Sequence, residues 1–345
     1  MSQKRVAITG ATGFLGRHVL SALRTAGRRP VAVVRDAGAA RRILPDDMEI
    51  RQVDICDGAA LTTAFEGMDA AIHLAGMVSV NKRDDRETYR VNVTGARNFL
   101  RAVEESGVAR ALFTSTTSAV GALSRPEPGA ACDEATAFNL AAEPVMYIQA
   151  KRAAHEMALA AAEKGRKEDQ EKDLKRGTRI TVLSPSFVLG PDDINSNTSE
   201  LIDAIARRAL PICPGGGLNP IDVRDLAAAY VSALDHPDPA GHYILASGEN
   251  LTLKEFIGRV AQLAHVAPPR MSLPDALVIA LARGAEFIHP GGRLTAAGAR
   301  LGRYYWYFDA ALARRDLSLR CRPLDDTVKD TLAWLRDKES RTPKL

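Results

Sequence analysis

A short apolar run, Val6-Ala7-Ile8, leads straight into Thr9-Gly10-Ala11-Thr12-Gly13-Phe14-Leu15-Gly16, and an amphipathic stretch through Val19, Leu20 and Leu23 follows. Three glycines spaced G-x-x-G-x-x-G between a strand and a helix constrain this chain more than any other feature. Backbone N–H groups and the positive end of the helix dipole then meet at one turn. Glycine lets the main chain approach a pyrophosphate there and lets the helix pack on the strand. Gly10, Thr12, Gly13, Phe14, Leu15 and Gly16 are therefore candidate contacts to a dinucleotide.

The rest of the first half repeats the rhythm. Val31 to Val34, Ile50 to Val53, Ala70 to Leu74 and Ala111 to Phe113 are strand candidates separated by helix-length segments. That alternation predicts an α/β fold, a doubly wound parallel sheet with helices on both faces. Helices are expected near 86–106, ending at Gly107, and near 145–164, ending at Gly165. The charge-dense segment 163–176 reads as a solvated helix extension or loop. Arg179 to Leu183 reads as a further strand ended by Ser184-Pro185. Beyond it the pattern loosens through Gly215-Gly216-Gly217, an apolar helix candidate near 275–282, Pro290-Gly291-Gly292 and the aromatic run Tyr304 to Phe308. A smaller, irregular C-terminal lobe is expected from these segments.

With 345 residues, 46% apolar and 26% charged, the chain has the composition of a globular protein that needs no staples. A net charge of +4, with bases interleaved among acids, argues against a nucleic-acid partner. Cys56, Cys132, Cys213 and Cys321 lie far apart with no metal-ligand spacing, so free thiols in a reducing cytoplasm and no metal are expected. A first strand close to Met1 argues against a signal peptide. The apolar run 276–282 falls far short of the ~20 residues that cross a bilayer, so no stable membrane insertion is expected.

About twenty positions beyond the glycine turn stand Arg35 and Asp36. An acid there would bond the ribose hydroxyls of NAD(H), whereas an arginine would pair with the 2′-phosphate of NADP(H). Arg35 fits the strand-end position better and Arg41 and Arg42 follow, which favours NADP(H) over NAD(H). Tyr147 and Lys151, at i and i+4, share one helix face. An ammonium there would lower the phenol's pKa toward neutrality and make Tyr147 a general acid/base. Five hydroxyl residues, Thr114 to Ser118, end the fifth strand, where a hydroxyl could hold a substrate oxygen.

Together these motifs resemble an extended short-chain dehydrogenase/reductase of the NAD-dependent epimerase/dehydratase family, over residues 5–250. The resemblance rests on Thr9 to Gly16, on Asp54-Ile55-Cys56-Asp57 as D-x-x-D, and on His73-Leu74-Ala75-Gly76 after the fourth strand. It continues in Asn92-Val93-Thr94-Gly95, Tyr147 to Lys151, Pro185, Gly190-Pro191 and Val223-Arg224-Asp225. It implies a Rossmann domain over 1–190 and a mainly substrate-binding lobe over 191–345, with 220–245 returning to the core. It also implies cofactor contacts from Asp54, Ile55, Leu74, Ala75, Gly76, Asn92, Pro185, Phe187 and Val188, besides Arg35, Tyr147, Lys151 and the glycine turn. Thr116 would orient the substrate oxygen, Tyr147 would shuttle the proton and Lys151 would tune it. His73 would be structural or at the cofactor edge. Two positions depart from the pattern: Ser184 stands where an arginine often precedes the proline, and His155 stands where an acid commonly follows the lysine by four.

The acids of a sugar-nucleotide dehydratase are missing after Thr116, where Thr117 and Ser118 follow. Val33 to Asp36, Phe113 to Thr116, Asn219 to Asp225 and Tyr243 to Leu245 are similar to the dihydroflavonol reductase and 3β-hydroxysteroid dehydrogenase branch. That branch implies reduction of a ketone, or oxidation of a secondary alcohol, on an apolar small molecule, with Thr117, Phe187 and Tyr304 near the substrate. The alternatives are a nucleotide-sugar epimerase, with Arg207, Arg208 or Arg303 clamping a diphosphate, and a non-catalytic NADP-binding sensor or scaffold. The resemblance also implies a homodimer through the two long helices, whose Ala153, Ala154, Ala158 and Ala161 would either permit close approach or face the sheet.

Overall fold

Apolar runs buried on both faces build the centre of the molecule. The computed structural model describes residues 4–170, 177–194, 198–210, 212–269, 271, 273–288 and 295–341. The chain begins with β1 (Arg5–Thr9), α1 (Phe14–Thr25), β2 (Arg29–Val34), α2 (Ala37–Arg41), β3 (Glu49–Gln52), α3 (Gly58–Phe65) and β4 (Ala70–His73). It continues with α4 (Asp85–Tyr89), α5 (Gly95–Glu105), β5 (Arg110–Thr114), α6 (Met146–Gln170), β6 (Arg179–Pro185), β7 (Phe187–Leu189) and α7 (Ser199–Ala206). Then come β8 (Gly217–Leu218), β9 (Pro220–Asp222), α8 (Val223–Asp235), β10 (His242–Leu245), β11 (Leu251–Thr252) and α9 (Leu253–Leu263). Four helices close the chain: α10 (Asp275–Ile288), α11 (Ala296–Leu301), α12 (Ala311–Asp316) and α13 (Leu324–Arg341).

Seven strands form one parallel sheet in the order β10-β6-β5-β4-β1-β2-β3. Thr9 lies beside Val33 on one side and His73 on the other, so the chain reverses winding direction between β1 and β4. In sheets of this kind ligands bind at that reversal, beyond the carboxyl ends of the strands. One face is covered by α1, α8 and α12 through Leu20, Leu23, Leu226, Tyr230 and Ala313. The other is covered by α3, α5 and α6 through Leu61, Phe65, Phe99, Val103, Ala154 and Ala158. This is the doubly wound Rossmann sheet that the alternation predicts.

Several details add to the sequence reading or depart from it. The expected helix 86–106 carries a wide π-type turn over Arg90–Thr94, which carries Asn92 inward. The helix of Tyr147 runs on to Gln170, so part of the charged segment is helical; residues 171–176 and Pro290-Gly291-Gly292 lie outside the described residues. β6 continues through Ser184 and Pro185 because parallel pairing with β10 persists to Leu245. Ala154 and Ala158 face the sheet, which removes them from the helix surface offered for a dimer. Helix α10 buries Val278 and Ala282 and leaves Leu277 and Leu281 exposed.

The smaller lobe has its own core of Leu189, Ile202, Phe256, Val260, Leu324 and Val328. Short pairs β7–β9 and β8–β11 frame it. Residues Ile221 to Ala246 and the segment from Phe308 to Leu319 both contribute to the sheet core. Asp222 ties these pieces together. Its buried carboxylate caps α8 at Arg224 N (2.8 Å), accepts from Arg224 Nη2 (2.7 Å) and accepts from Thr327 Oγ1 of α13 (2.8 Å). No helix among the described residues is long and apolar enough to cross a membrane.

Gly10 has φ +73°, and a Cβ on it would stand 2.6 Å from Ala75 N. The variant Gly10→Ala combines a left-handed backbone with a main-chain clash and should lose roughly 2 kcal/mol or more. Chemical denaturation of the two proteins side by side would measure it, and an unchanged midpoint would contradict the packing described.

Candidate active site

The glycine turn is built by close backbone approach. Gly13 N donates to Gly10 O (3.0 Å), Leu74 N donates to Thr9 O (3.1 Å), and a side chain at Gly16 would overlap the Gly10 carbonyl. Phe14 turns its ring inward, edge-on to His18, while Leu15 packs on the sheet core. Leu74, Ala75 and Gly76 leave β4 directly beside Gly10. Asn92 holds that loop: its amide donates to Met77 O (2.8 Å) and accepts from Met77 N (3.2 Å). Both ends of this side chain are thereby engaged, so what it does here is fix the loop.

At the end of β3, Asp54 accepts from Cys56 N (2.9 Å) and from Arg90 Nη1 (3.4 Å). The Cys56 amide first, then Arg90, hold its carboxyl below the usual range. Ile55 fits the space left by Gly95, and its carbonyl accepts from Asn98 Nδ2 (3.0 Å). At the end of β2 the two neighbours separate in role. Asp36 caps α2 by accepting from Ala39 N (2.9 Å), whereas Arg35 is exposed and makes no hydrogen bond or ion pair among the described residues. The turn, β2 and β4 thus leave a cradle of backbone N–H groups, closed by glycines where a Cβ would intrude, beside the exposed Arg35 guanidinium, whose charge also acts on Glu87. These residues fit a dinucleotide.

The second half of the site lies where β5 meets α6. Lys151 is buried and donates from Nζ to Thr114 O (3.2 Å). Burial lowers its pKa to about 8. Tyr147, one turn earlier, is half-buried, and its hydroxyl faces Thr116 and Ser118, whose own hydroxyls lie 2.8 Å apart. The expected lowering of the phenol pKa is corrected here: burial raises it, and Thr116 and Ser118 only partly offset that. The Lys151 ammonium is bonded to the Thr114 carbonyl. Ser118 was not singled out in the sequence, although it closes the hydroxyl run that pointed to Thr116. Thr117 is turned away from Tyr147; its hydroxyl donates to Pro185 O (3.2 Å).

The surroundings of Tyr147 are apolar. Ala122, Leu140, Val145 and Ile148 form a cluster against which Val80, Phe138, Tyr147, Leu301, Tyr304 and Trp306 pack. The aromatic run alternates like a strand: Tyr304 and Trp306 join this cluster, Tyr305 and Tyr307 meet edge to face with centroids 5.5 Å apart, and Phe308 enters the sheet core. Tyr304 donates its hydroxyl to buried Glu143 (2.6 Å), and Arg303 pairs with the same carboxylate (2.8 Å). Glu143, four residues before Tyr147, carried no sequence signal. Arg207 pairs with Asp203 on α7 (2.7 Å). Phe187 meets Phe256 edge to face, and Val188 O accepts from Thr198 Oγ1 (2.6 Å), so both sit at the junction of sheet and lobe. His73 is buried between Phe99 and Phe113 and bonds Thr9 Oγ1 (2.9 Å). All four cysteines are unpaired, and no group of three or more metal-ligating side chains occurs among the described residues.

Comparison with known proteins bears on this arrangement. The sequence model of the NAD-dependent epimerase/dehydratase family matches residues 6–246. The chain is 28% identical over 340 residues to a Synechocystis protein that carries the name dihydroflavonol 4-reductase, covering 96% of this chain and 94% of that one. It is 25% identical over 334 residues to a 3β-hydroxysteroid dehydrogenase/Δ5→4-isomerase of Mycobacterium tuberculosis, covering 91% and 85%. Among solved structures it is similar to a nucleoside-diphosphate-sugar epimerase from Pseudomonas aeruginosa, with TM-score 0.75, 25% identity and coverage of 98% and 99%.

Three imidazoles behind the site are held neutral by burial: His73 and His155 fall to about 3 and His242 to about 4. The unfolded chain binds a proton at each below about 6.5, so stability is full above that pH and falls as pH drops toward 4. At pH 5 the loss should be about 2 kcal/mol for each ring. Urea midpoints at pH 7.5 and pH 5 would register it, and equal midpoints would contradict neutral burial.

Proposed function

The chain belongs to the NAD-dependent epimerase/dehydratase family and is an NAD(P)-dependent oxidoreductase of the extended short-chain dehydrogenase/reductase type, and we propose that it interconverts a ketone and a secondary alcohol on a largely apolar small molecule, using NADP(H). The observation that carries the reading is the wall around Tyr147. Its hydroxyl lies with Thr116 and Ser118 at one end of a cluster of Val80, Phe138, Leu301 and Trp306. Such a surface favours an apolar substrate with few polar groups. The nearby guanidiniums are engaged: Arg303 with Glu143, and Arg152 with Glu156, Ala119 O and the Phe138 ring. A diphosphate would therefore have to displace existing partners, which weighs against the epimerase reading that the similarity to a sugar-nucleotide epimerase keeps in view.

In this reading Thr116 holds the carbonyl oxygen by a hydrogen bond, and Tyr147 gives its phenolic proton to that oxygen as the alcohol forms. The bound nicotinamide supplies the hydride. Lys151 favours the tyrosinate left behind once its ammonium is within reach of it, and the raised pKa of the phenol in the present arrangement keeps the proton available for donation. Arg35 supports NADP(H) over NAD(H) as the exposed cation at the end of β2, free of hydrogen bonds among the described residues, with Asp36 occupied as a helix cap.

Two variants test the reading. Tyr147→Phe should lower reduction of apolar ketones by 100-fold or more while NADPH still quenches protein fluorescence with unchanged affinity. Full turnover by this variant would remove Tyr147 from the chemistry. Arg35→Ala should weaken NADPH binding about tenfold or more, the effect of one charge-assisted pair, and leave NADH binding unchanged. A wild-type preference for NADH would overturn the cofactor assignment, and interconversion of a nucleotide sugar without net reduction would favour the epimerase.

A further inference from the structure

The two positions at which the sequence departs from the resembled pattern, Ser184 and His155, lie on either side of a third residue. His155 stands one turn beyond Lys151 on α6, is buried, and places Nδ1 2.9 Å from Ser115 Oγ. Its ring meets that of His242 edge to face, with centroids 4.9 Å apart. On β10, His242 Nε2 lies 2.8 Å from Ser184 Oγ of β6. The row Ser115, His155, His242 and Ser184 thus crosses from β5 through α6 to β10 and back to β6. Both hydroxyl–imidazole bonds form with all four groups uncharged. This row meets the catalytic segment directly, because Ser115 lies between Thr114, whose carbonyl holds Lys151, and Thr116.

The groups that face Lys151 contain no negative charge. Tyr147 and His155 flank it on α6, the Thr114 carbonyl bonds it from β5, and His73 approaches from β4. Arg152 adds a like charge near His155, and His242 stands beyond it on β10. Among the described residues no carboxylate acts on the ammonium. We propose that Ser115, His155, His242 and Ser184 form an uncharged strut that positions Lys151 against Thr114 and withholds a counter-ion from it. The proposal rests on the reading of Lys151 as partner of Tyr147 given above. Without a carboxylate, burial alone sets the ammonium, which is why it sheds its proton near pH 8 and not in the ordinary lysine range. A protonated ring at 155 or 242 would add a buried like charge, and burial keeps both rings neutral. An acid at 155 would do the reverse, favouring the ammonium and raising its titration. His155 is therefore a positioning residue: it touches neither substrate nor cofactor in this account and acts through Lys151 and Ser115.

The test is a pH titration of the Lys151 side chain by heteronuclear NMR in the full chain, with Lys151→Met assigning the signal. The wild type and His155→Gln, which keeps a neutral hydrogen-bonding group, should titrate together near pH 8. His155→Glu should titrate at least one pH unit higher, a tenfold tighter hold on the proton. An unmoved midpoint in His155→Glu, or a wild-type midpoint in the ordinary lysine range, overturns the proposal. Should His155→Glu fail to fold, the native protein still decides. Imidazole nitrogen shifts of His155 and His242 that stay those of neutral rings from pH 8 to pH 5.5 support the strut, and an imidazolium at pH 7 overturns it. The titration needs no turnover, so it stands apart from the reductase reading. Where ketone reduction is measurable, the alkaline limb of kcat/KM should move with the lysine in His155→Glu, which loss of stability alone would not cause. A lysine that moves while the limb stays supports the strut and removes Lys151 from the chemistry.

Discussion

Everything in this molecule depends on how closely two neighbouring strand ends approach at the reversal of the sheet. β1 and β4 run parallel, and beyond them Gly10 lies so near the backbone of Leu74 and Ala75 that a single methyl group would collide. Thr9 and His73 pin the same level from inside through a buried hydrogen bond. With the strands parallel, every carboxyl end reaches one edge, and the crossovers force helices onto both faces. The cradle beyond β1 and β4 and the Thr114-to-Thr116 segment beyond β5 therefore share one edge by topology. Neither half of the site needs the lobe to bring it there.

That dependence explains which parts were legible in the sequence. The glycine spacing, the strand rhythm and the i, i+4 pair Tyr147/Lys151 are local patterns fixed by backbone geometry, and the sheet follows from them. Pro185 misled the reading because a proline and a serine look like a strand end, yet parallel pairing with β10 carries β6 through both. The π-type turn at Asn92 gives no periodic signal over so few residues. Glu143 was invisible for another reason. Its partners Arg303 and Tyr304 lie some 160 positions away in sequence, and only the return of the C-terminal segment brings them within hydrogen-bond distance.

The lobe is stitched to the sheet by charge as much as by apolar contact. Asp222 gathers the start of α8, Arg224 and Thr327, while Arg322 pairs with Asp225 (2.7 Å). Glu143 gathers Arg303 and Tyr304 beside the apolar wall of Tyr147. The Asp222 carboxylate is tolerated because its oxygens meet several donors, whereas Glu143 takes both Arg303 and Tyr304 on Oε1 and leaves Oε2 only Arg300 at 4.0 Å; in each case removing a partner would leave a costly charge behind. These clusters lie where segments distant in sequence converge, and they set the register of the lobe against the sheet.

The sheet interior behind Lys151 follows the opposite rule. Here hydroxyls and imidazoles carry the hydrogen bonds, and the ammonium receives one carbonyl and no counter-charge. Lowering a lysine from 10.5 to about 8 corresponds to roughly 3 kcal/mol of disfavoured charge. A fold that pairs Asp222 so fully has the means to pair Lys151 as well. Leaving it unpaired costs stability that a purely structural lysine would not require, since a well-packed apolar side chain would fill the same space without the penalty. On the reading proposed above, the cost has a use. An ammonium already neutralised by a carboxylate would have little field left to favour a tyrosinate, whereas one held by a carbonyl keeps its full charge for the moment when the proton leaves Tyr147.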